Sequence, residues 1–283
     1  MSSELMELIN QHIDYVQYVR EKSENTVKNR RWALNNFVKL VNATRPSDIT
    51  NDSINTWIIR QRQTSSSNLC GKTINTRLSH LKSFISWLEQ RGYDLDVKRH
   101  LIERVIETKH ISVYFTREQV QKILEAADAR ERLMINILFD TLMRRAELAN
   151  LHVDNLKGRE IRYIAKGKKR CVSYMSDSTV KLLHEWIEFY HIEGYIFPSN
   201  NGHLDPATIG RIIKGVCARA GFSEGHTHAF RHTGATDLEL NGAPLELIST
   251  LLNHEKLDTT RIYTHASDLN LIHRIDRFAH SLA

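Results

Sequence analysis

The first 90 residues alternate between amphipathic stretches and short polar breaks. Leu5, Leu8, Ile9, His12, Ile13 and Val16 recur at helical spacing, so residues 3–22 are expected to form one amphipathic helix. Ser23 or Asn25 suits a cap for a second helix to about Ala43, with Val27, Leu34, Phe37, Val38 and Val41 on one face. Lys28, Arg30 and Arg31 lie off that face, and Pro46-Ser47 breaks the pattern. Asn51 or Asp52 starts a third helix, with Ile54, Trp57 and Ile58 inward and Arg60 and Arg62 outward. The polar stretch TSSSNLCG (64–71) reads as a flexible connection. A fourth helix follows with Ile74, Leu78, Leu81, Ile85 and Leu88 inward; Thr73, Asn75, Arg77 and Lys82 are expected on its surface, and Gly92 ends it.

Residues 94–115 lose the period and read as a connector. It returns at Thr116-Arg-Glu-Gln119, a capping-box pattern, ahead of Val120, Ile123, Leu124 and Ala127. The next helix, roughly 130–143, is almost wholly apolar through Met134–Leu142, as a buried central helix must be. Over 160–175 the period falls to two: EIRYIAK and RCVSYM alternate around Gly167-Lys168, a β-hairpin with a basic tip. Helices are then expected over 178–191, from the Asp205-Pro206 start, from His226 to Leu240, from Pro244 and over 267–282, with 198–205 as a loop. The fold class is mainly α with a small β-hairpin or sheet. The expected domains are a helical one at 1–95, a linker at 96–115 and a second domain at 116–283 that ends in helix 267–282.

Composition narrows the class. Hydrophobic residues make up 41% and charged residues 25% of the 283, ordinary for a globular chain and unlike a disordered one. No apolar run approaches a membrane span and the N-terminus has no signal-peptide pattern, so no membrane association is expected. Cys70, Cys171 and Cys217 are scattered and odd in number, which fits a reducing cytoplasm. The net charge of +6 favours a polyanionic partner. Residues 1–107 hold 16 Lys/Arg against 12 Asp/Glu, whereas 108–283 hold 23 against 21, so the N-terminal part is the stronger candidate for a nonspecific clamp.

The candidate chemistry concentrates between His226 and His265, where His228, Arg231, His254 and Tyr263 bring two imidazoles, a fixed cation and a phenol within forty residues. Transfer of a phosphodiester without a metal needs a nucleophile, cations for the non-bridging oxygens, an acid for the leaving alkoxide and a manager for the nucleophile's proton. Arginine suits the second role because its planar fork binds two oxygens and keeps its charge. Arg231 and His228, three apart, share a helical face. Arg144 follows the buried helix and therefore needs a partner, Glu147 or a ligand. Lys166 sits near the hairpin tip. Taken singly each residue has a plainer reading: Arg144–Glu147 as an ordinary helical ion pair, Lys166, Lys168, Lys169 and Arg170 as a solvated loop, Tyr263 as a core residue. His228 and His232, four apart, with His226, suit a metal by spacing, but Ala229 stands where the Glu of a zinc-hydrolase helix would be.

Together, their order and spacing make the chain resemble the tyrosine recombinases, or phage integrase-type site-specific recombinases. TLMRRAELANL (141–151) resembles the family's first arginine motif through Arg144 and Glu147. YIAKGKKR (163–170) resembles its hairpin lysine motif through Lys166, and HAFRHT (228–233) its H-x-x-R motif. LLNHEKLDTTRIYTH (251–265) matches the segment with the second histidine and the tyrosine nine residues on. The resemblance covers 108–283, and the N-terminal helices fit the family's SAM-like core-binding domain. Two positions depart from it: Leu142 and Asn253 stand where glycine is usual. Neither is a catalytic group. Asn tolerates a left-handed backbone, whereas Leu142 implies a local shift before Arg144.

The resemblance implies a site-specific recombinase that cleaves and rejoins DNA through a 3′-phosphotyrosyl intermediate in integration, excision or resolution. Tyr263 would be the nucleophile, Arg144, Arg231 and His254 would hold the phosphate, His228 would manage the tyrosine proton, Lys166 would protonate the leaving oxygen and Glu147 would orient Arg144 or His228. No cofactor or metal is expected. The implied partner is double-stranded DNA with inverted-repeat core sites, gripped by Lys28, Arg30, Arg31, Thr73, Asn75, Arg77 and Lys82 and by Lys168 and Lys169 at the hairpin. The implied assembly is a homo-tetramer on DNA, or a hetero-tetramer with a paralogue, with helix 267–282 docked either on a neighbour or on its own domain. Location in the cytoplasm, at the nucleoid, follows. The compact chain, with no added arm-binding domain, points to a Xer-like or mobile-element type. A type IB topoisomerase-like enzyme, a non-catalytic regulator on the same fold and a His-metal hydrolase are the alternatives.

Overall fold

Buried apolar clusters on either side of residue 110, one before it and two after it among the described residues, organise the chain. The computed structural model describes residues 3–63, 69–107, 113–165, 169–200 and 202–252. The chain divides into two compact units, Met1–His110 and Ile111–Ala283.

The first unit is helical: α1 (Glu4–Asp14), α2 (Glu24–Val41), α3 (Asn51–Gln63) and α4 (Gly71–Glu89). Ser3 caps α1 by accepting from the Met6 amide, with Glu4 and Glu7 in the first turn, where carboxylates favour the helix dipole. The single helix expected over 3–22 is instead α1 followed by a π-helical segment, Tyr15–Val19. Trp57, Phe37, Phe84 and Leu34 fill the core; the Phe37 and Trp57 rings meet edge to face at 5.5 Å. The indole of Trp57 donates to Asn36 Oδ1 at 2.9 Å, so its polar end is satisfied inside the bundle.

The irregular stretch after α4 is not a loose connector where it is described. Ile102 is buried, Lys82 Nζ donates to its carbonyl at 2.9 Å, and Asn75 accepts from the Val105 amide at 2.9 Å and donates to its carbonyl at 2.8 Å. Gly71 permits this approach, since a Cβ there would stand 2.2 Å from the Ile106 carbonyl oxygen.

The second unit is built around α6 (Ala129–Thr141), with α5 (Arg117–Glu125) before it. Both begin with capping boxes, Thr116 with Gln119 and Asp128 with Glu131. Helix α6 is buried nearly all round, which explains its unbroken apolar sequence. After α7 (Arg145–Ala149), strands β1 (Leu156–Lys157), β2 (Glu160–Ala165) and β3 (Lys169–Tyr174) form an antiparallel sheet whose β2–β3 register closes at Ala165 opposite Lys169. Helix α8 (Asp177–Tyr190) follows, then β4 (Pro198–Ser199), β5 (Gly202–His203) and α9 (Pro206–Arg219), with Asp205 as N-cap and Pro206 in the first turn. The stretch expected as a loop over 198–205 thus contains a short hairpin; two-residue strands carry no alternation to read. Helices α10 (Thr227–Leu240) and α11 (Leu245–Leu251) complete the described fold. Helix α10 packs on α6 through Gly234, where a Cβ would stand 2.4 Å from the Phe139 carbonyl oxygen and 2.7 Å from Leu142 Cδ2. The expected helix 267–282 lies outside the described residues. No helix of the described residues is long and apolar enough to cross a membrane.

Candidate functional site

The site is assembled at the exit of α6. That helix ends on Leu142, whose φ of 53° and ψ of 25° are left-handed. Leu142, where glycine is usual, itself adopts the conformation that glycine favours. Its side chain is fully buried with Tyr174, Leu238, Leu247 and Leu251. This burial offsets the cost of a left-handed leucine, on the order of 1–2 kcal/mol.

Two residues on, the extended backbone of Arg144 forms the N-cap of α7. Glu147 reaches back and accepts from the Arg144 amide at 2.7 Å through Oε2 and from Arg144 Nη1 at 3.0 Å through Oε1. Glu147 is 6% exposed, while the Arg144 side chain keeps 31% of its surface. One buried carboxylate therefore satisfies the helix start and fixes the arginine, leaving the guanidinium's other donors toward solvent. The ion pair expected from spacing is present, in this capping geometry.

Arg231, in the second turn of α10, is 7% exposed. Its Nη1 donates to the carbonyl of Leu142 and its Nη2 to the carbonyl of Leu252. Burial, then the neighbouring charge of Arg144, pull its pKa down to about 10, against a partial counter-effect of Glu147 and Tyr163. It remains cationic at neutral pH. Two arginines from different elements thus stand within each other's field, one locked by a carboxylate and the other by two carbonyls.

His228 is exposed one turn before Arg231. Its pKa is nonetheless lowered, first by partial desolvation against α10 and then by Arg231, His226, Arg145 and His232. The shift favours the neutral imidazole, the form a proton acceptor needs. Lys169 opens β3 and is exposed. Burial raises the thiol of Cys171, and the charges of Lys169, Glu147 and Arg144 act on it in turn, which puts the start of β3 beside α7. Lys166, Lys168, Asn253, His254 and Tyr263 lie outside the described residues. The rings of His226 and His228 stand 6.4 Å apart, and among the described residues no three His, Cys, Asp or Glu side chains converge on a point.

Three contributors were not foreseen. Arg145 lies in the field of His228 and its Nη1 sits 3.2 Å from where a Cβ on Gly210 would be; the basic doublet 144–145 was its only signal. Gly234 sets how closely α10, and with it Arg231, approaches α6. The carbonyls of Leu142 and Leu252 anchor Arg231, and backbone acceptors leave no trace in side-chain identity.

The candidate DNA-facing residues of the first unit are only partly free for such a role. Asn75 is corrected: expected on the surface of α4, it is 8% exposed and its amide is consumed by Val105 and by Glu107 Oε1 at 2.7 Å. Lys82 holds the Ile102 carbonyl. Arg30 is half-buried and donates to His12 Nε2 and Ser83 Oγ. Arg77 lies over the Trp32 ring at 4.0 Å and donates to Gln61 Oε1 at 2.8 Å. Thr73 is half-buried beside Cys70. Lys28, paired with Glu24 at 2.7 Å, and Arg31, donating to Asn10, are exposed.

Comparison with known proteins adds the following. Residues 113–270 match the phage integrase family and residues 9–92 match the phage integrase N-terminal SAM-like domain. A tyrosine recombinase of Thermosipho africanus is 26% identical over 273 residues, spanning 90% of this chain and 93% of that protein. The tyrosine recombinase XerC of Oceanobacillus iheyensis is 28% identical over 283 residues, spanning 92% and 91%. Among solved structures, a lambda integrase tetramer bound to a Holliday junction shares the fold, with a TM-score of 0.72 at 14% identity, covering 91% of this chain and 76% of that one.

Proposed function

We propose a mechanism from one premise: the chain belongs to the phage integrase family, and it is a tyrosine recombinase, an enzyme of site-specific DNA recombination. Tyr263 attacks the scissile phosphorus. The Tyr263 Oη–P bond forms as the P–O5′ bond breaks, which leaves a 3′-phosphotyrosyl link and a 5′-hydroxyl. His228 takes the phenolic proton, and Lys166 protonates the departing 5′ oxygen. Arg144 and Arg231 stabilise the negative charge on the non-bridging oxygens, with His254 as a further donor. Attack of a 5′-hydroxyl from a partner strand reverses the steps and completes the exchange. One phosphoester replaces another, so the reaction needs neither ATP nor a metal.

The observation that carries this reading is the pairing of Arg144 and Arg231. Arg231 lies in the field of Arg144, which helps to lower its pKa, and each guanidinium is fixed by acceptors, Glu147 for Arg144 and two backbone carbonyls for Arg231. Such a pair repels itself until an anion lies between, and a phosphodiester is the anion whose two free oxygens match two arginine forks. Glu147 acts as the positioning carboxylate for Arg144.

The DNA contacts proposed for the first unit are Lys28 and Arg31 on α2 and Thr73 and Arg77 on α4, joined by the lysines of the hairpin tip, Lys168 and Lys169. The partner is duplex DNA with inverted-repeat core sites and the working form is a tetramer; the lambda integrase tetramer, which shares this fold, supports the assembly. A duplex nicked beside the cleavage point, so that the released fragment diffuses away, tests the reaction. Wild-type protein in excess EDTA is expected to accumulate a covalent protein–DNA adduct. Arg144→Ala and Arg231→Ala should each slow it about 10²–10³-fold, and Tyr263→Phe should abolish it. Loss of the adduct in EDTA, or its persistence in Tyr263→Phe, would overturn the mechanism.

A further inference from the structure

A further basic site lies within the first unit, which holds none of the residues assigned above to catalysis. Where the π-helical segment after α1 meets α2 and α4 lies a half-open pocket of about 270 Å³. Its lining includes His12, Arg20, Lys22, Arg30 and Trp87 and contains no Asp or Glu.

Three nitrogens on these lining residues are buried and have no hydrogen-bond partner among the described residues: His12 Nδ1, Arg30 Nε and Trp87 Nε1. All three are donors. Arg30 has only N–H groups to offer, so the 3.2 Å contact between its Nη1 and His12 Nε2 makes Nε2 the acceptor. The proton of the neutral imidazole then sits on Nδ1. His12 is 1% exposed, and burial, followed by the charges of Arg30 and Arg91, drives its pKa down to about 3, so the neutral form is the one present. The indole of Trp87 is a donor only, and its ring face is already covered by the Arg91 guanidinium at 3.8 Å. Buried polar groups are almost always paired, and three unmet donors on residues that line one pocket call for acceptors.

The backbone around the cavity is unusual as well. Helix α1 runs into the π-helical turn Tyr15–Val19, a geometry frequent at functional sites. Glu21 then takes a left-handed φ of 45° between Arg20 and Lys22, the two exposed cations of the rim. Neither makes a side-chain hydrogen bond or ion pair among the described residues.

We propose that this cavity is an oxyanion-binding site that takes a phosphate group. Unmet donors on the lining residues, and a lining of cations without carboxylates, select an oxyanion over a cation or an apolar ligand. The phosphate has two sources, a small phosphorylated molecule or a backbone phosphate of bound DNA.

The test titrates inorganic phosphate into the full-length protein at constant ionic strength, read by calorimetry, with DNA affinity on a generic duplex read by anisotropy. Lys22→Ala removes a rim cation from an exposed position. Trp87→Phe removes one buried donor without changing charge. Saturable binding of one phosphate is expected, weakened about tenfold by either variant, the effect of one lost charge-assisted bond. If Trp87→Phe leaves duplex affinity unchanged, the ligand is a small phosphorylated molecule; if duplex affinity falls and free phosphate competes with DNA, the ligand is a backbone phosphate. Absence of saturable phosphate binding by the wild type, or binding unaltered in both variants, would overturn the site.

Discussion

Arg231 donates to two backbone carbonyls, one from the exit of α6 and one from the end of α11. The group proposed to meet a phosphate is therefore aimed by main chain rather than by a side chain that could rotate away, while Arg144 is aimed by the carboxylate of Glu147. His228 differs in kind, being exposed and chemically set by its neighbours. Its lowered pKa fixes a sign. The imidazole gives up its proton below the 6.5 of an ordinary histidine, so the acid limb of adduct formation should be centred below that pH. Stability follows the same window: between the depressed folded value and 6.5 the unfolded chain holds more proton, so falling pH costs stability there. Single-turnover rates against pH check this, and an acid limb centred above pH 6.5 would contradict it. At this scale the sequence showed which residue types could work together, because charge and spacing on α10 and at the start of α7 are written in side chains. It did not show the carbonyl anchors, nor the role of Arg145.

The left-handed turn at Leu142 links elements. It ends α6, aims the carbonyl that holds Arg231, and buries its side chain where α10 and α11 meet the sheet. Two terms oppose each other on mutation. Leu142→Ala loses the burial, a loss on the order of 2–5 kcal/mol, and keeps the backbone cost. Leu142→Gly loses the burial but relieves the backbone, recovering about 1 kcal/mol. Glycine should thus be the milder substitution, an inversion of the order inside a helix, and chemical denaturation of the two variants reads it directly. An alanine variant at least as stable as the glycine variant would show that the turn carries no strain. Most element ends were legible because capping boxes and the Asp205-Pro206 pair are local chemistry. The π-helical turn was not, since apolar spacing near 3.6 continues through it. Asn75 was misplaced for a related reason: a polar residue on an apolar helix reads as solvent-facing unless one knows that residues 102–107 fold back to consume it.

On the scale of the whole molecule, two separately cored units carry unequal charge, with the greater excess in residues 1–107. Phosphate contacts from that unit should make DNA affinity fall steeply with salt, with a slope of about −0.9 per contact. The segment 267–282, amphipathic in sequence, is proposed to dock on a neighbouring protomer. Its deletion should reduce tetramer on a two-site DNA far more than binding to a single site, as read by analytical ultracentrifugation. Unchanged stoichiometry would assign the segment to its own domain. A division into two units was legible because the apolar period stops near residue 94 and restarts at Thr116. Where the compact first unit ends was not, because residues that return to pack on α4 do so through irregular backbone.

The central claim is that Tyr263 forms the covalent bond. The most direct measurement traps the adduct on nicked DNA, digests both components and sequences the joined peptide by mass spectrometry. The expected product is a peptide containing Tyr263 esterified to a 3′-phosphate; linkage through another residue, or to a 5′-phosphate, would contradict the account.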